Sequence, residues 1–421
     1  MSLVEKIVSY DNLHNAYKQV VSNKGSAGID GMKTDELWLF LQRNREAIRA
    51  AILSGDYYPN AVKGIFIPKP NSTDKRMLGI PTVVDRFIQQ AIHQVLYNVF
   101  NPRFSKFSFG FRKRKNATQA VNQALKYANT GHHYVVDIDL SKFFDRVNHD
   151  LLMSLIAKRV QDKALLLLIR RYLQAGIMQK GKIQQRKEGT PQGSPLSPLL
   201  SNILLNELDT ELSNRGHKFV RYADDFSIYV HTKRSATRVM KSINRFLESK
   251  LKLQINQKKS AVRYVGKMEL LGYGIYRTRK HVFALKVSEA SWRTFKKKCK
   301  ELTRKTKPYS FSYRVHKLKE LGRGWIAYFR YANIKERLSR LDHWLGSRLR
   351  YCIWKTWKRI RTRIRNLKRL GVPIPLAVKW GLNRSGGWHI VHTPILTTTL
   401  TVIRLRRMGF KPMSEIYQKY K

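Results

Sequence analysis

The chain has 421 residues, with 82 Lys and Arg against 28 Asp and Glu, a formal net charge of +54 and a pI of about 10.6. That balance calls for a polyanionic partner, nucleic acid ahead of an anionic membrane surface, while 43% apolar and 11% aromatic residues exclude a disordered basic tail. No apolar run is long enough to span a bilayer, the first residues form no signal-peptide core, and Cys299 and Cys352 alone exclude a disulfide framework or a cysteine-based zinc site, so a cytoplasmic protein is expected.

In chain order, helical patterns first flank a turn-rich loop, Asn23–Gly31. A strand-like segment, Gly64–Pro70, and a polar turn lead to Ile80-Pro-Thr. A helix follows, with Ile88, Ala91, Ile92, Val95, Leu96 and Val99 on one face and Arg86 left for another. Asn116 is placed to cap a further helix through Ala120, Val121, Ala124 and Leu125. Tyr134–Leu140 alternates as a strand, so Asp137 and Asp139 share one face, and Phe143-Phe144-Asp145 comes at once. Asn148 caps a helix striped by Leu151, Leu152, Leu155 and Ile156. The loop Gly189–Pro198 has glycines that permit close backbone approach, and a helix through Leu199, Leu200, Ile203, Leu204 and Leu208 succeeds it.

Residues 219–231 predict a hairpin with Asp224 and Asp225 at its break. Adjacent acids repel unless a cation lies between them. A pair of Mg²⁺ ions meets that need, since hard cations take carboxylate oxygens together with substrate phosphates; an exposed acidic turn is the other reading. From residue 285 the chain turns helical and basic. Trp292, Phe295, Cys299 and Leu302 line one face while Arg293, Lys296, Lys297, Lys298 and Lys300 crowd the others, which describes a helix lying on phosphates. A second stripe, Leu338, Leu341, Leu345 and Leu349, runs on through Trp354 into a cationic tract that Gly371 and Pro373 end. The Trp and Phe positions on these stripes are expected in the core.

Four motifs in order, Val-Asp-Ile-Asp-Leu-Ser-Lys-Phe-Phe-Asp at 136–145, Gly-Thr-Pro-Gln-Gly at 189–193, Tyr-Ala-Asp-Asp at 222–225 and Leu-Gly-Tyr at 271–273, resemble the group II intron-encoded reverse transcriptases that also serve as maturases. The resemblance implies an α+β right-hand polymerase with fingers, an antiparallel-sheet palm and a helical thumb. It implies an N-terminal extension over 1–60 whose loop covers the template, fingers and palm over 61–284, thumb or maturase domain over 285–374, and a small basic nucleic-acid-binding region over 375–421.

Carried over position by position, Asp139, Asp224 and Asp225 become the catalytic metal ligands for two Mg²⁺ ions, with the Leu140 carbonyl as a further ligand. Asp137 and Asp145 compete with Asp139 for the first place. Phe144 corresponds to the residue that excludes a 2′-hydroxyl, Lys69 and Arg76 to triphosphate contacts, and Gln192 to a contact with the nucleotide sugar or template base. Lys259, with Lys258 as its rival, corresponds to the lysine near the leaving pyrophosphate; Leu271, Gly272 and Tyr273 correspond to the primer grip. The implied partners are an RNA template, a DNA primer or target, dNTPs and a structured intron RNA held by Lys296, Lys297 and Lys298, with no membrane. Lacking cysteine pairs after Cys352, the chain is expected to lack the endonuclease of larger members and to use an existing 3′ end. A defence- or CRISPR-associated reverse transcriptase, and an RNA-binding splicing factor needing no polymerase activity, are the alternatives.

Overall fold

Two carboxylate-bearing strands lie side by side at the centre of a four-stranded antiparallel sheet in the computed structural model, which describes residues 2–68 and 75–420. The strand order is Lys218–Tyr222, Asp225–Val230, Tyr134–Ile138 and Ala261–Tyr264. Ile138 pairs with Phe226 and Asp137 with Ser227, so the register brings the end of the first acidic strand beside the start of the second. Val135, Val136 and Ile138 are buried, as are Phe226, Ser227 and Ile228. Helices Ala117–Asn129, Ser197–Asn214 and Lys233–Ser249 pack on this sheet. The first starts at Asn116, whose side chain accepts from Gln119 N at 2.9 Å while Gln119 answers with its own side chain, a reciprocal cap. Asn148 likewise caps the helix His149–Ala157.

A second four-stranded sheet joins Lys75–Ile80, Val62–Pro68, Ile177–Gln179 and Lys182–Gln184. The helix Val83–Phe100 follows in the chain, and its apolar face carries Phe87, Ile88, Ala91, Ile92 and Leu96 into the core. Helix Tyr10–Ser22 packs along it, and the loop after Ser22 folds back onto its N-terminus. That return needs glycine. A Cβ on Gly28 would stand 2.6 Å from Thr82 Cα, and one on Gly25 would stand 2.2 Å from the Arg86 guanidinium, which donates to Ser26 O at 2.7 Å.

The chain divides into two compact units, 1–265 and 266–421. The second unit contains the strands Glu269–Leu270, Tyr273–Arg277 and Phe283–Val287, and helices Glu289–Leu302, Phe311–Phe329 and Lys335–Thr356. The division falls ahead of residue 284 because these strands pack on the helices that follow them: the Tyr273 and Phe329 rings are 4.9 Å apart, and Asn333 N donates to Leu285 O at 2.8 Å. Residues 375–421 belong to the same unit. Met413 N and Ser414 N donate to the Asp342 carboxylate at 2.6 and 2.9 Å, and the Tyr417 hydroxyl donates to Ala332 O at 2.6 Å.

The stripe through Leu338 and Leu349 does not run unbroken into the cationic tract. The helix stops at Thr356, Trp357 takes φ −85° and ψ 69°, and a new helix spans Ile360–Arg369. Redirection lets Ile364 and Leu367 pack against Ile374–Leu382, where Gly381 leaves room for Ile364. Phe295 stacks on Trp325 at 4.1 Å, and Trp354 is buried, as expected for core aromatics. Cys299 and Cys352 are both buried and free. Among the described residues no helix is long and apolar enough to cross a membrane.

Candidate active site

Tyr222 pairs with Asp225 across a two-residue reversal in which Ala223 takes φ +58°. A residue with a Cβ pays about 1–2 kcal/mol for that region, so the turn must be held by its surroundings. Arg221 does this from within the sheet. Its side chain is 0% exposed, and its Nε and Nη2 donate to both oxygens of Asp209 at 2.8 and 2.6 Å. Nη1 donates to Asn202 Oδ1 and to the Ala223 carbonyl, each at 2.9 Å. Asn202 in turn donates to Gly110 O at 3.0 Å, and Gly110 lies so close under the turn that a Cβ there would meet Ala223 N at 2.2 Å. The acidic turn is thus clamped by a buried ion pair on one side and a glycine on the other.

Asp139 reaches the same place from the neighbouring strand. Its amide donates to Ser260 Oγ at 3.1 Å, and its carbonyl accepts from Asn256 N at 2.8 Å. Leu140, buried, bridges to Ile255. Lys259 Nζ stands 3.3 Å from Asp139 Oδ2, whereas Asp137 is paired with Arg263 at 3.5 Å. The carboxyls feel one another. Asp225 is exposed on the sheet's face, yet partial burial, followed by the charges of Asp224, Asp139 and Asp137, pushes it up to about 6. Burial also raises Asp224, with Asp139 adding to the rise and Arg221 and Lys259 opposing it.

Among the described residues no three His, Cys, Asp or Glu side chains form a group that would hold a metal unaided. The donors suit a hard cation all the same: they are oxygens only, crowded enough to resist sharing one charge state, and open to waters and phosphates, through which Mg²⁺ usually completes its shell.

Beside Asp224 opens a cavity of about 680 Å³. Arg76, Phe144 and Gln192 all line it, joined by Arg86, Asn23 and Gly25. Phe144 leans edge-on against buried Phe143 at 5.2 Å, and its carbonyl accepts from Thr190 N at 2.6 Å. The Gly189–Gly193 loop is fastened at both ends. Gly189, at φ +83°, sits against the Phe144 and Asp145 carbonyls with no space for a Cβ, and Gly79 N donates to Gln192 O at 2.9 Å. Lys69 lies outside the described residues. Asp145 faces Arg186, and of the two lysines it is Lys259 that reaches Asp139.

In the second unit, Leu271 and Gly272 form a two-residue hairpin turn, both at positive φ (52° and 80°), and the Leu271 carbonyl accepts from the Tyr328 hydroxyl at 2.9 Å. The Tyr273 hydroxyl donates to the Tyr328 carbonyl. Lys296, Lys297 and Lys298 are exposed on helix Glu289–Leu302, and Lys296 lies 5.2 Å above the Trp344 ring in a cavity shared with Trp292, Arg337 and Arg340.

Sequence reasoning passed over Arg221, Asp209 and Asn202. A signal was present: Arg221 interrupts a strand whose Phe219 and Val220 are fully buried, and Asp209 interrupts the apolar face of Leu205, Leu208 and Leu212. A cation and an acid on two buried faces imply each other. The helical pattern frees Arg86 from its helix's core face; its place in the cavity, with burial lowering its pKa, depends on the folded-back N-terminal loop.

Residues 67–275 match the family described as reverse transcriptase (RNA-dependent DNA polymerase), and residues 292–371 match the group II intron maturase-specific domain. Protein YkfC of Escherichia coli is 30% identical over 326 residues, spanning 68% of this chain and 85% of that protein. The chain belongs to the group II intron-encoded reverse transcriptases. The group II intron-encoded protein LtrA of Lactococcus lactis is 28% identical over 330 residues, 63% of this chain and 55% of its own length. A putative COX1/OXI3 intron 2 protein of Saccharomyces cerevisiae is 26% identical over 322 residues. The chain therefore spans about half of LtrA and 37% of the yeast protein. As a member of this reverse transcriptase family it is an RNA-directed DNA polymerase of α+β fold, divalent-metal-dependent, with a maturase domain for intron RNA.

Proposed function

We propose that this reverse transcriptase extends a DNA 3′ end on an RNA template, with Asp139, Asp224 and Asp225 holding two Mg²⁺ ions and the Leu140 carbonyl completing the set. The observation that carries this reading is the shared cavity: Arg76, Phe144 and Gln192, singled out for three different parts of a dNTP, line one space with Asp224. When bound, the metal pair supplies charge neutralisation at the reacting phosphate and lowers the pKa of the 3′-hydroxyl.

The chain's own residues do the rest. Arg76 meets the triphosphate, joined by Lys69. Phe144 presents its ring to the sugar where a 2′-hydroxyl would project, and Gln192 contacts the sugar or template base. The 3′-hydroxyl gives its proton to solvent and its oxygen forms a bond to the α-phosphorus as the bond from that phosphorus to the bridging oxygen of pyrophosphate breaks. Lys259, now 3.3 Å from Asp139, is near enough to the reacting centre to give a proton to that leaving oxygen. Leu271, Gly272 and Tyr273 grip the primer, and Lys296, Lys297 and Lys298 hold the phosphates of the parent intron RNA to aid splicing and mobility.

Asp224→Ala tests the assignment. Primer extension should fall by at least about a thousandfold, in keeping with loss of a charge-stabilising group from the reacting centre, while RNA affinity in a binding titration stays near that of the wild type. Extension at the normal rate by the folded variant removes Asp224 from the mechanism.

A further inference from the structure

Phe104, Phe109 and Phe111 lie close together in the chain, and the first two are buried. Phe111 is not: its ring is 47% exposed and lines the cavity beside Asp224. Its backbone takes φ +57°, a region that a bulky side chain enters only when the surrounding structure imposes it. Here the neighbours on both sides do so. Phe109 N donates to Arg221 O at 2.8 Å, and Gly110 is wedged against Ala223 N with its carbonyl held by Asn202. On the far side Arg112 Nε donates to Asn101 Oδ1 at 2.9 Å, and its Nη1 donates to the carbonyls of Ser105 and Ser108 at 2.6 and 3.0 Å.

This arrangement costs stability twice, through a strained backbone and through a ring left in water. The clamp on the acidic turn does not need that ring, since Gly110, Asn202 and Arg221 make its contacts. A strained residue, pinned fore and aft and turned into a binding cavity, points to a contact with what the cavity binds.

We infer that Phe111 is the surface against which the templating base is held while the incoming dNTP pairs with it. Arg76, Phe144 and Gln192 serve the dNTP in the same cavity of about 680 Å³, but a templated dNTP is only half of a base pair, so the cavity must admit the other half as well. The last completed pair of the primer is covered by stacked bases on both faces. The pair being formed has one face open, and a flat apolar ring suits that face. Because a phenyl ring makes no hydrogen bond to a base edge, it supports every template base alike, as copying an arbitrary sequence requires. The inference rests on the nucleotide site proposed above and deepens it by naming a residue that positions the template strand.

The test uses the full chain on an RNA template annealed to a dideoxy-terminated DNA primer, with 5-iodouridine at the templating position as probe. Irradiation should crosslink that base to the peptide containing Phe111, because iodouracil couples to an aromatic ring stacked on it. Crosslinks confined to other peptides overturn the proposal, as does a Phe111 crosslink that forms only when the iodinated base is moved to the primer terminus. Phe111→Gly and Phe111→Asn remove the ring and put residues that accept positive φ in its place. Melting temperature should therefore hold or rise, while kcat/KM for the paired dNTP falls roughly 10- to 100-fold, the scale of one base stack on an aromatic ring; Phe111→Tyr should restore it. Opposite an abasic template position, wild type and Phe111→Gly should incorporate dATP at rates within about twofold of each other, since the base on which the ring acts is gone. A loss that persists there assigns Phe111 to the incoming nucleotide and overturns the proposal, as does unchanged kcat/KM on the intact template. Failure of the wild type to extend an ordinary primer would strike at the polymerase reading, while the crosslink, which needs no chemistry at the metal site, still decides the role of Phe111.

Discussion

A single buried cation, Arg221, illustrates how much of this active site is positioning. The guanidinium is fully enclosed, satisfied by Asp209, Asn202 and the Ala223 carbonyl, and it therefore ties the acidic turn to the helix behind the sheet. Removing one member of a buried ion pair typically costs about 3–5 kcal/mol, because the other charge is stranded, whereas apolar replacement of both is often nearly neutral. Arg221→Met should therefore lower thermal stability sharply, and Arg221→Met with Asp209→Leu should regain most of it. Extension by the double variant should remain depressed and need more Mg²⁺ for half-maximal rate, since the Ala223 carbonyl has lost its donor. Wild-type Mg²⁺ dependence in the double variant would show that the pair serves stability alone. Phe144 invites a second test at this scale. Its ring lines the cavity beside Asp224, so Phe144→Ala should reduce discrimination between dCTP and rCTP by about tenfold or more, the scale of one lost apolar contact or group. Single-turnover incorporation of each nucleotide on one template reads it, and unchanged selectivity would remove Phe144 from sugar choice.

Turns, more than strands or helices, carry the constraints at the level of elements. The hairpin at Leu271-Gly272 has two consecutive positive φ angles, and a Cβ on Gly272 would approach Ser291 Oγ to 2.8 Å and Phe329 Cζ to 3.3 Å. Gly272→Ala combines backbone strain of about 1–2 kcal/mol with a side-chain displacement. Its melting temperature should fall by a few degrees, and if the hairpin grips the primer, KM for the primer–template should rise more than KM for dNTP. A variant that loses stability with both KM values unchanged confines the hairpin to a structural role. The Gly189–Gly193 loop obeys the same logic: its glycines let backbone meet backbone beneath Phe144 and beside Gly79, which holds Gln192 at the cavity wall.

Charge governs the molecule as a whole. With +54 spread over both units, affinity for RNA should fall steeply with salt, by a slope of log K on log salt of about −5 or steeper if six or more phosphates are neutralised. The acids of the palm and the exposed lysines of Glu289–Leu302 belong to different compact units, so polymerisation and splicing assistance should be separable by mutation. Asp224→Ala with Asp225→Ala should leave protein-assisted excision of the cognate intron at low Mg²⁺ near wild type. Lys296→Glu with Lys297→Glu and Lys298→Glu should slow it by about tenfold or more, because three phosphate contacts become three repulsions. Excision lost in the folded palm variant would mean that the two activities share the acidic turn.

Local pattern was enough for much of this. Period-two alternation found the strand that carries Asp137 and ends at Ile138, one residue short of Asp139; Asn116 and Asn148 announced their helices, and two short motifs located the acidic turn and the glycine-bearing loop, because each depends on residues close in sequence. The net charge, a simple sum, named the class of partner. What depended on distant residues stayed out of reach. The choice of Lys259 over Lys258 at Asp139, the pairing of Asp137 with Arg263, and the break at Trp357 follow from contacts across the fold. Arg221 and Asp209 each looked like an isolated charge in an apolar run. Only packing the helix Ser197–Asn214 against the edge strand Lys218–Tyr222 brings the two within 2.6 Å, and only there does burial without a partner become prohibitive. Sequence determined which chemical groups the site would contain; the tertiary structure decided which of them meet, because charge, volume and hydrogen bonding are settled between neighbours in space.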